Sequence, residues 1–542
     1  MMTLRHLLAV ILVCQYFPSN GQVNLTMSDL PIVVITTPLG QEINDVSRIV
    51  CDMGVIDNPP GTPNLITDPY NGYNGKISIE IRGSTSQQYP KKSYGFETQD
   101  ILGANLNVPL MGLPMENDWI LYGPYPDKTL IRDALTFHLF RSFGHYASNW
   151  RYCELLINDE YKGLYLLLER IKRDNNRVDV ARLDVDDLAG DSLTGGYIIK
   201  VDKLTGEVGY SWPSNYNNEV LFQFHDPEYD ELNPIQASYM ENFIGEFEDA
   251  VYGPNFSDPL LGYPKYIQTT SFYDFFLLQE LGRTVDGFRS SSFMHKDKND
   301  GVWNGKLVAG PIWDFNLSYG NADYCDADQT TGWQYNFDEI CDFTSAIPFW
   351  WEKLLQSVTY RNGLKCRWEE LRQGPLHTDS INYFIDSIAT MIQDARIRNF
   401  TKWPIIGVYV NWNGFVGATY EEDLDYLKEY IRQRSLWIDA NLPGICDAAI
   451  AENTFTPEYH KVWPNPTNGS AFMGYTLFGS GEVHIKLMDM QGRSVKSISE
   501  GFKSPGEHAL ELDLSTLENG TYLYRYYVAG VHQGTGKLLI QK

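Results

Sequence analysis

The sequence predicts an α+β protein with two lobes, followed by a small all-β domain at its C-terminal end. Between Leu30 and about Leu442 no linker-like break occurs, and strand patterns such as LPIVVITT and ISIEIRG come before mostly helical ones. After Phe455 the pattern changes to period-2 strands that are separated by turns. The length of 542 residues is too great for one ordinary core and indicates several domains.

Three further patterns in the long region predict particular elements. Apolar residues at helical spacing predict a helix over Lys128–Phe143, and the same spacing predicts helices over Ser271–Leu281 and Glu421–Asn441. Ser271 is the expected cap of the second helix, and Gly282 marks its end. The segment CELLINDEYKGLYLLLERI alternates around Asn158-Asp159-Glu160, which predicts a β-hairpin.

The C-terminal region reads as a small β-sandwich of about 80 residues. Pro, Asn and Gly punctuate Trp463–Ser470, and after them come short alternating segments. These segments are EVHIKLMD, SVKSIS, HALELDLS, TYLYRYYVAG and KLLIQK.

The N-terminus has the pattern of a secretory signal. Arg5 and His6 precede the apolar run Leu7–Val13, and small or polar residues lead to an expected cleavage near Gly21. Cys14 leaves a lipoprotein signal as an alternative. No later segment has the uninterrupted apolar length of a membrane helix. The formal net charge of −26 argues against binding to a nucleic-acid backbone.

Removal of the signal leaves six cysteines, which in an exported protein suggest disulfides. They are Cys51, Cys153, Cys325, Cys341, Cys366 and Cys446. The pair Cys325–Cys341 is favoured because it is local, and the alternative for some of the others is a buried free thiol. No CxxC spacing occurs, so a zinc site has little support.

The segment from Glu280 to Tyr324 has an acid at each end of a predicted strand-turn-strand unit. Asp286 precedes the first strand, Asp314 follows the second, and Asn299-Asp300-Gly301 is a turn signal. Such a hairpin brings both carboxylates to one end, where they could hold a metal or manage a proton. Earlier in the chain, IRGSTSQQYPKKSYGFE joins a small polar loop to a lysine pair. A loop, a lysine and two acids are the minimum set for phosphoryl transfer.

Six ordered blocks across residues of roughly 30–445 resemble the CotH (spore coat protein H) kinase family. They are IRGSTSQQYPKKSYGFE, NDWILYGPYPDKTLIRDALTFHLFRSFG, LLINDEYKGLYLLLERIKRDNNRVDV, GGYIIKVDK, TVDGFRSSSF and GPIWDFNLSYGN. The stretch from VWPNPTNG to the terminal KLLIQK resembles the type A sorting domain of the type IX secretion system. The implied fold is a two-lobed atypical protein-kinase-like domain followed by an immunoglobulin-like sandwich. The implied source is a Gram-negative bacterium of the Bacteroidota type.

The predicted organisation places a signal peptide at 1–21, the kinase-like domain at 22–450, a linker at 451–462 and the sorting domain at 463–542. The resemblance implies that ATP and Mg²⁺ are cofactors and that an exported protein is the substrate. It also implies handling by the type IX secretion machinery and a secreted or cell-surface location, with export through the periplasm. Neither a nucleic acid nor a transmembrane segment is expected.

The resemblance also assigns residues to the nucleotide. The loop Gly83–Gln88, including Ser84, would cover the phosphates, with Arg82 as an additional cation. Lys92 would pair with the phosphates, while Lys91 should point the other way in a strand. Glu169 to Ile171 would lie where kinases hold adenine.

For the reacting end, the resemblance implies that Asp286 accepts or positions the substrate hydroxyl and that Asp314 coordinates Mg²⁺. Many family members have a second acid two residues after the metal-binding one, whereas this chain has Asn316, which can offer an oxygen but no charge. Ser291 stands where protein kinases have an asparagine metal ligand. These departures leave a non-catalytic, pseudokinase-like adhesin or matrix protein as the alternative. A glycan-active enzyme is the third possibility.

Overall fold

The computed structural model describes residues 23–204, 210–299, 305–341, 346–446, 460–477, 481–489, 494–503, 506–528 and 531–542. The predicted signal peptide, the turn tip at Asp300-Gly301 and most of the predicted linker lie outside these residues. The chain divides into two compact units, the first being Met1–Ser357 with Glu370–Leu442 and the second Val358–Glu369 with Pro443–Lys542.

The strands of the first unit come mostly before residue 230. They are β1 (Met27–Ser28), β2 (Ile32–Thr36), β3 (Ile49–Ile56), β4 (Asn64–Leu65), β5 (Tyr73–Arg82), β6 (Ser93–Gln99), β7 (Val108–Leu110), β8 (Leu113–Glu116), β9 (Asp118–Tyr122), β10 (Trp150–Ile157), β11 (Glu160–Glu169), β12 (Tyr197–Val201), β13 (Ser211–Pro213), β14 (Leu221–Asp226), β15 (Ser292–Lys296) and β16 (Leu307–Ala309).

The helices come mostly later, as predicted. They are α1 (Arg132–Ser142), α2 (Pro234–Tyr252), α3 (Thr269–Gly282), α4 (Phe337–Ile340), α5 (Trp350–Leu354), α6 (Val358–Arg372), α7 (Thr378–Met391), α8 (Gln393–Lys402) and α9 (Tyr420–Asn441). The α+β prediction is therefore confirmed, while the division into kinase-like lobes stays a prediction.

Two helix starts differ from the sequence prediction for local reasons. The helix predicted from Lys128 begins at Arg132, because Asp127 accepts hydrogen bonds from the backbone N–H groups of Thr129 and Arg132 and holds the preceding residues in a turn. The predicted cap Ser271 lies inside α3. Gln268 caps this helix instead, with its side chain accepting from the Ser271 N–H at 2.7 Å.

Seven strands close into a barrel in the order β10-β11-β9-β6-β5-β3-β2. All neighbours are antiparallel except β2 and β10, which run parallel and complete the closure. Alternate side chains point inward and form an apolar core, because successive residues of a strand face opposite sides. That core includes Val33, Ile35, Cys51, Met53, Ile77, Ile79, Phe96, Trp119, Leu121, Cys153, Leu155 and Leu167. The predicted hairpin β10–β11 turns at Asn158 and Asp159, which both have positive φ.

A five-stranded antiparallel sheet in the order β13-β14-β12-β15-β16 forms the second framework of this unit. Met294 of β15 lies opposite Ala309 of β16, so the predicted hairpin pairing is confirmed. The buried helix α3 comes before this hairpin in the chain and ends at Gly282, shortly before Asp286.

The described part of the second unit contains seven strands in two sheets: β17 (His460–Trp463), β18 (Ser470–Leu477) and β21 (Gly506–Asp513) in one, and β19 (Gly481–Met488), β20 (Ser494–Lys503), β22 (Gly520–Val528) and β23 (Val531–Ile540) in the other. Side chains from both sheets form one core, including Val462, Met473, Ile485, Leu512, Tyr526 and Leu538. The predicted strands are present, and the sequence prediction missed β17 and β18.

Cysteine pairing follows the favoured local prediction. Cys325–Cys341 is a disulfide of the first unit, and Cys366–Cys446 is a disulfide of the second. Of the described cysteines, Cys51 and Cys153 are free and buried. No helix in the described part of the chain is long and apolar enough to cross a membrane.

Candidate functional site

Three polar residues meet at one end of the five-stranded sheet. Asp202 follows β12, Ser291 precedes β15, and Asp314 follows β16. Val201 lies opposite Ser292 in the antiparallel register, so Asp202 and Ser291 come to the same edge. The sheet thus gathers side chains that lie more than a hundred residues apart in the chain.

The backbone at Ser291 and Asp314 is left-handed. Ser291 has φ +50° and Asp314 has φ +61°, and the Ser291 hydroxyl donates a hydrogen bond of 2.9 Å to Oδ2 of Asp314. Residues other than glycine adopt this conformation at a cost of roughly 1–3 kcal/mol, and such residues cluster at functional sites. Ser291 and Asp314 both have this conformation and are bonded to each other. The edge of the sheet where they lie, the corner, is therefore the candidate site.

Helix α1 holds the segment that follows Asp314. The Phe315 N–H donates to Oδ1 of Asp133 at 2.9 Å, and Nε of Arg132 donates to the Ser318 carbonyl at 3.0 Å. Burial raises the pKa of Asp133 to about 7, although the Phe315 hydrogen bond opposes this. These buried contacts fix the turn that presents Asp314.

The electrostatics of Asp314 show which groups lie close to it. Loss of surrounding water raises its pKa, the Ser291 hydrogen bond and the Arg82 charge lower it, and the carboxylates of Asp202 and Asp286 raise it. The side chain is nevertheless reached by solvent. Asp314 is therefore an accessible carboxylate with Asp286 and one cation within electrostatic range.

Arg82 is that cation. It ends β5, and its guanidinium carbon lies 5.6 Å from the centroid of the Trp313 ring. Burial lowers the pKa of Arg82, and the charge of Asp314 raises it. The predicted cation and the predicted metal-binding acid are thus brought together from distant parts of the sequence.

Two more cations, Arg170 and Lys200, lie in the same region. Burial lowers the pKa of His225 to about 3, and the positive charges of Arg170, Lys200 and Arg82 lower it further. Lys200 also pairs with Asp202 at 3.0 Å. A cluster of positive side chains beside accessible acids has the mixed charge that a metal–phosphate ligand requires.

The loop Gly83–Gln88 leaves β5 directly after Arg82 and includes a 3₁₀ turn over Thr85–Gln88. Ser84 is exposed, and the side chain of Gln87 donates to the Gly83 carbonyl at 2.6 Å. Nζ of Lys92 donates to the Gln87 carbonyl at 2.5 Å, so this ammonium is bonded to the loop and helps to hold it in place.

Gly83 is required by its conformation and by its neighbour. Its φ is +103°, and a Cβ there would lie 2.1 Å from Oγ of Ser86. We expect Gly83→Ala to weaken the ATP binding that the sequence resemblance implies roughly tenfold, or about 1.4 kcal/mol, because the strained backbone and the contact with Ser86 displace the loop. Gly61→Ala is the matched control, since Gly61 has φ +86° but open space around it. Calorimetry and thermal unfolding of both variants check this, and equal ATP affinities would contradict it.

Two other residues named from the sequence point away from this corner. Oε2 of the buried Glu169 accepts from the Asn149 backbone N–H at 2.9 Å and from Tyr146 at 3.1 Å, so its carboxylate is occupied. Lys91 points inward, where Nζ donates to the Leu164 carbonyl at 2.5 Å and to Asn399 at 2.9 Å. The role of Glu169 at adenine stays a prediction.

Asp286 lies in the turn after α3 and is paired with Arg289. Nη2 of Arg289 donates to Oδ1 of Asp286 at 3.0 Å. The Asp286 side chain is 39% exposed, whereas that of Arg289 is 3% exposed. An exposed carboxylate held on one oxygen by a buried arginine keeps its other oxygen available for a hydroxyl group.

The acids fit a metal that receives other ligands from its substrate. Among the described residues, no three His, Cys, Asp or Glu side chains form a group that could enclose an ion. Mg²⁺ usually takes one or two carboxylates and completes its shell with phosphate oxygens and water. Asn316, which is partly exposed two residues after Asp314, could add an amide oxygen.

Sequence reasoning missed several residues of this corner. Asp202 and Lys200 stand in the quoted block GGYIIKVDK, but neither is assigned a role from the sequence, and Arg170 is assigned with Glu169 to adenine and not to this corner. From the sequence, Ser291 stands out only as the residue at the position where protein kinases have an asparagine metal ligand. Their proximity depends on strand register, which a single sequence pattern does not specify.

Comparison with known families agrees with this architecture. The sequence model described as CotH kinase protein matches residues 79–438, and the one described as secretion system C-terminal sorting domain matches residues 461–541. The first match covers well over half of the chain, which therefore belongs to the CotH kinase protein family. The second indicates export, to the cell surface or to the medium.

Other comparisons add little. No protein of curated function matches the sequence. One solved structure, Pseudomonas fluorescens alkylpurine DNA glycosylase AlkC bound to DNA containing an abasic site analog, is 9% identical. The match covers 39% of this chain and 71% of that one with a TM-score of 0.11, which carries no argument about fold or function.

Proposed function

We propose that this secreted protein is an atypical kinase that transfers the γ-phosphoryl group of ATP to Ser or Thr of an exported protein. The observation that carries the proposal is the corner at which Asp314 meets Ser291, Arg82 and Asp286. Phosphoryl transfer needs cations for the phosphates, a metal-binding carboxylate and an acceptor for the substrate hydroxyl. The corner offers a candidate residue for each of these roles, and membership of the CotH kinase protein family supports the same activity.

Asp314 would hold Mg²⁺, with Asn316 as the second oxygen donor. When bound, Mg²⁺ would supply positive charge against the negative charge of the phosphates. Arg82 lies beside Asp314, so the same cation could meet a phosphate oxygen. Gly83 and Ser84 would cover the phosphates with backbone N–H groups, while Lys92 keeps that loop in place.

Asp286 would orient the attacking hydroxyl. Its Oδ1 atom is engaged by Arg289, so a substrate hydroxyl would donate to Oδ2. Because phosphoryl-transfer transition states are loose, positioning of the hydroxyl contributes more than strong basicity. The acceptor is therefore expected to be a Ser or Thr hydroxyl presented in an accessible segment.

The first test is ATP binding by the mature full-length chain, measured by calorimetry with Mg²⁺ and again with excess EDTA. We expect binding in the micromolar range with Mg²⁺ and its loss with EDTA. A second assay measures transfer of ³²P from γ-labelled ATP to dephosphorylated casein and to the chain itself.

The rival function is a non-catalytic surface adhesin or matrix protein, which Asn316 favours because it carries no charge at a position where many relatives have an acid. Absence of ATP binding under both conditions would support this rival. Binding without transfer to either acceptor would indicate a pseudokinase that retains the nucleotide.

The sorting domain gives a separate prediction. A chain truncated before Trp463 loses the whole sheet pair β18–β23, and we expect it to accumulate in the periplasm. Cell fractionation with an antibody to the first unit checks this. Normal display of the truncated chain on the surface would show that the C-terminal unit is not needed for export.

A further inference from the structure

The disulfide Cys325–Cys341 closes a segment that crosses the buried end of α3. Glu280 of α3 forms a fully buried ion pair with Arg434 of α9, with Nη2 of Arg434 at 2.9 Å from Oε2 of Glu280. The backbone N–H groups of Gln334 and Tyr335 donate to the same carboxylate at 2.8 to 3.0 Å. The middle of the closed segment is therefore fastened to α3.

Arg434 fastens the segment from the other side. Its Nη1 atom donates to the Gly332 carbonyl at 2.6 Å and to the Thr330 carbonyl at 3.2 Å. The Tyr430 hydroxyl lies 3.0 to 3.1 Å from two carbonyls nearer the first cysteine, those of Ala327 and Gln329. The Glu280–Arg434 ion pair and Tyr430 therefore hold most of the segment in place.

The far end of the segment touches Arg289. The guanidinium carbon of Arg289 lies 4.2 Å from the centroid of the Phe337 ring, which is fully buried. Asp338, the next residue, is close enough for its charge to raise the pKa of Arg289. The Asp338 carboxylate is itself fixed by a hydrogen bond from the Ile347 N–H at 2.9 Å.

Arg289 connects this end to Asp286. Its Nε atom donates to the Val285 carbonyl at 3.1 Å, while Nη2 donates to Oδ1 of Asp286 at 3.0 Å. The near end of the segment reaches the same carboxylate, since the charge of Asp286 raises the pKa of Tyr324, next to Cys325. The far end of the disulfide-closed segment therefore reaches Asp286 through Arg289, and Tyr324, just before the near end, lies within electrostatic range of the same carboxylate.

We propose that the disulfide-closed segment Cys325–Cys341 is a positioning element for Asp286 that acts through Arg289, and that its oxidised form is required for full phosphoryl transfer. This rests on the proposed kinase function. Arg289 is a positioning residue, because its contacts are with Asp286 and not with the reacting atoms. Its planar guanidinium fixes the direction of the carboxylate, and the ring of Phe337 fixes the guanidinium.

The redox step is a thiol–disulfide exchange. A disulfide-bearing oxidant accepts two electrons and two protons from the thiols of Cys325 and Cys341, leaves as a dithiol, and the Sγ–Sγ bond forms. Dithiothreitol reverses the step: it supplies two electrons and two protons and closes to its own cyclic disulfide. The exported location favours the oxidised form.

The test uses the mature full-length chain with both Cys325 and Cys341 changed to Ser. We expect kcat for ³²P transfer to casein to fall about tenfold or more, because small displacements of a positioning group are costly. The KM for ATP should stay within about twofold, since Arg82 and Asp314 are not altered. The double variant with Cys366→Ser and Cys446→Ser is the matched control, because it removes the disulfide of the other unit.

Hydrogen exchange gives a readout that does not depend on activity. The backbone N–H groups of Gly287, Arg289 and Ser290 are bonded within the turn that contains Asp286. We expect them to exchange faster in the Cys325/Cys341 variant and unchanged in the control variant. Arg289→Lys should retain more activity than Arg289→Met, which separates orientation of Asp286 from simple loss of stability.

The outcomes separate the two proposals. If the wild type transfers phosphate and the Cys325/Cys341 variant has the same kcat, the positioning role is wrong. If the wild type transfers none, the kinase function fails. Hydrogen exchange then tests the positioning element without activity. Faster exchange of the N–H groups around Asp286 in the Cys325/Cys341 variant supports it, and unchanged exchange overturns it.

Discussion

Asp314→Asn is expected to abolish Mg²⁺-dependent ATP binding and to lower phosphoryl transfer at least about a hundredfold. The substitution removes one negative charge and keeps the shape of the side chain. Asparagine tolerates the φ of +61° at this position, so the turn should persist. The Ser291 hydroxyl can still donate to the amide oxygen. Any loss is therefore assigned to the charge that the metal requires.

Asp159→Asn is the matched control for that result. Asp159 also has φ +61°, but it lies exposed at the tip of the β10–β11 hairpin. Calorimetry of both variants with ATP and Mg²⁺, beside thermal unfolding, separates a metal effect from a folding effect. Unchanged ATP affinity in Asp314→Asn would remove Asp314 from the metal site.

Asp286→Asn is expected to lower kcat about a hundredfold or more while ATP affinity changes by less than about twofold. In the proposed reaction Oδ2 of Asp286 would accept from the acceptor hydroxyl, while Oδ1 stays bonded to Arg289. An amide also removes the carboxylate charge that pairs with Arg289, whose side chain is 3% exposed, so a modest loss of stability accompanies the kinetic effect.

Asp439→Asn controls for the loss of an arginine partner. Asp439 pairs with Arg372 at 3.1 Å, and its side chain is 37% exposed, close to the values for Asp286. Steady-state transfer of ³²P to casein should be normal in Asp439→Asn. Equal losses of kcat in both variants would mean that Asp286 matters for stability and not for the acceptor.

Local patterns predicted most of the fold. Helices α3 and α9 lie within a residue or two of their predicted bounds because their apolar spacing and end signals agree. The start of α1 was predicted four residues too early, since Asp127 competes for the first N–H groups. Barrel closure was not predicted, because the parallel pairing of β2 with β10 joins strands that are distant in the sequence.

The candidate site was predicted only in part for the same reason. Asp286 and Asp314 stand out because they flank one hairpin, and Arg82 because it enters a polar loop. Asp202 depends on the register of β12 against β15, and no local pattern records that register. The support of Asp314 by α1 is likewise a long-range contact.

The two barrel thiols have a consequence for the rate and fidelity of oxidative folding. Burial raises the pKa of Cys51 to about 11 and also raises that of Cys153, and a thiol exchanges disulfides only as its thiolate. Once the barrel has closed, both thiols are kept out of exchange, and the other four cysteines in the described part of the chain have only three possible pairings. In a chain that is oxidised before the barrel forms, Cys51 and Cys153 are also available, so many more cysteine pairings are possible. The order of the two events therefore determines the yield of correctly paired protein.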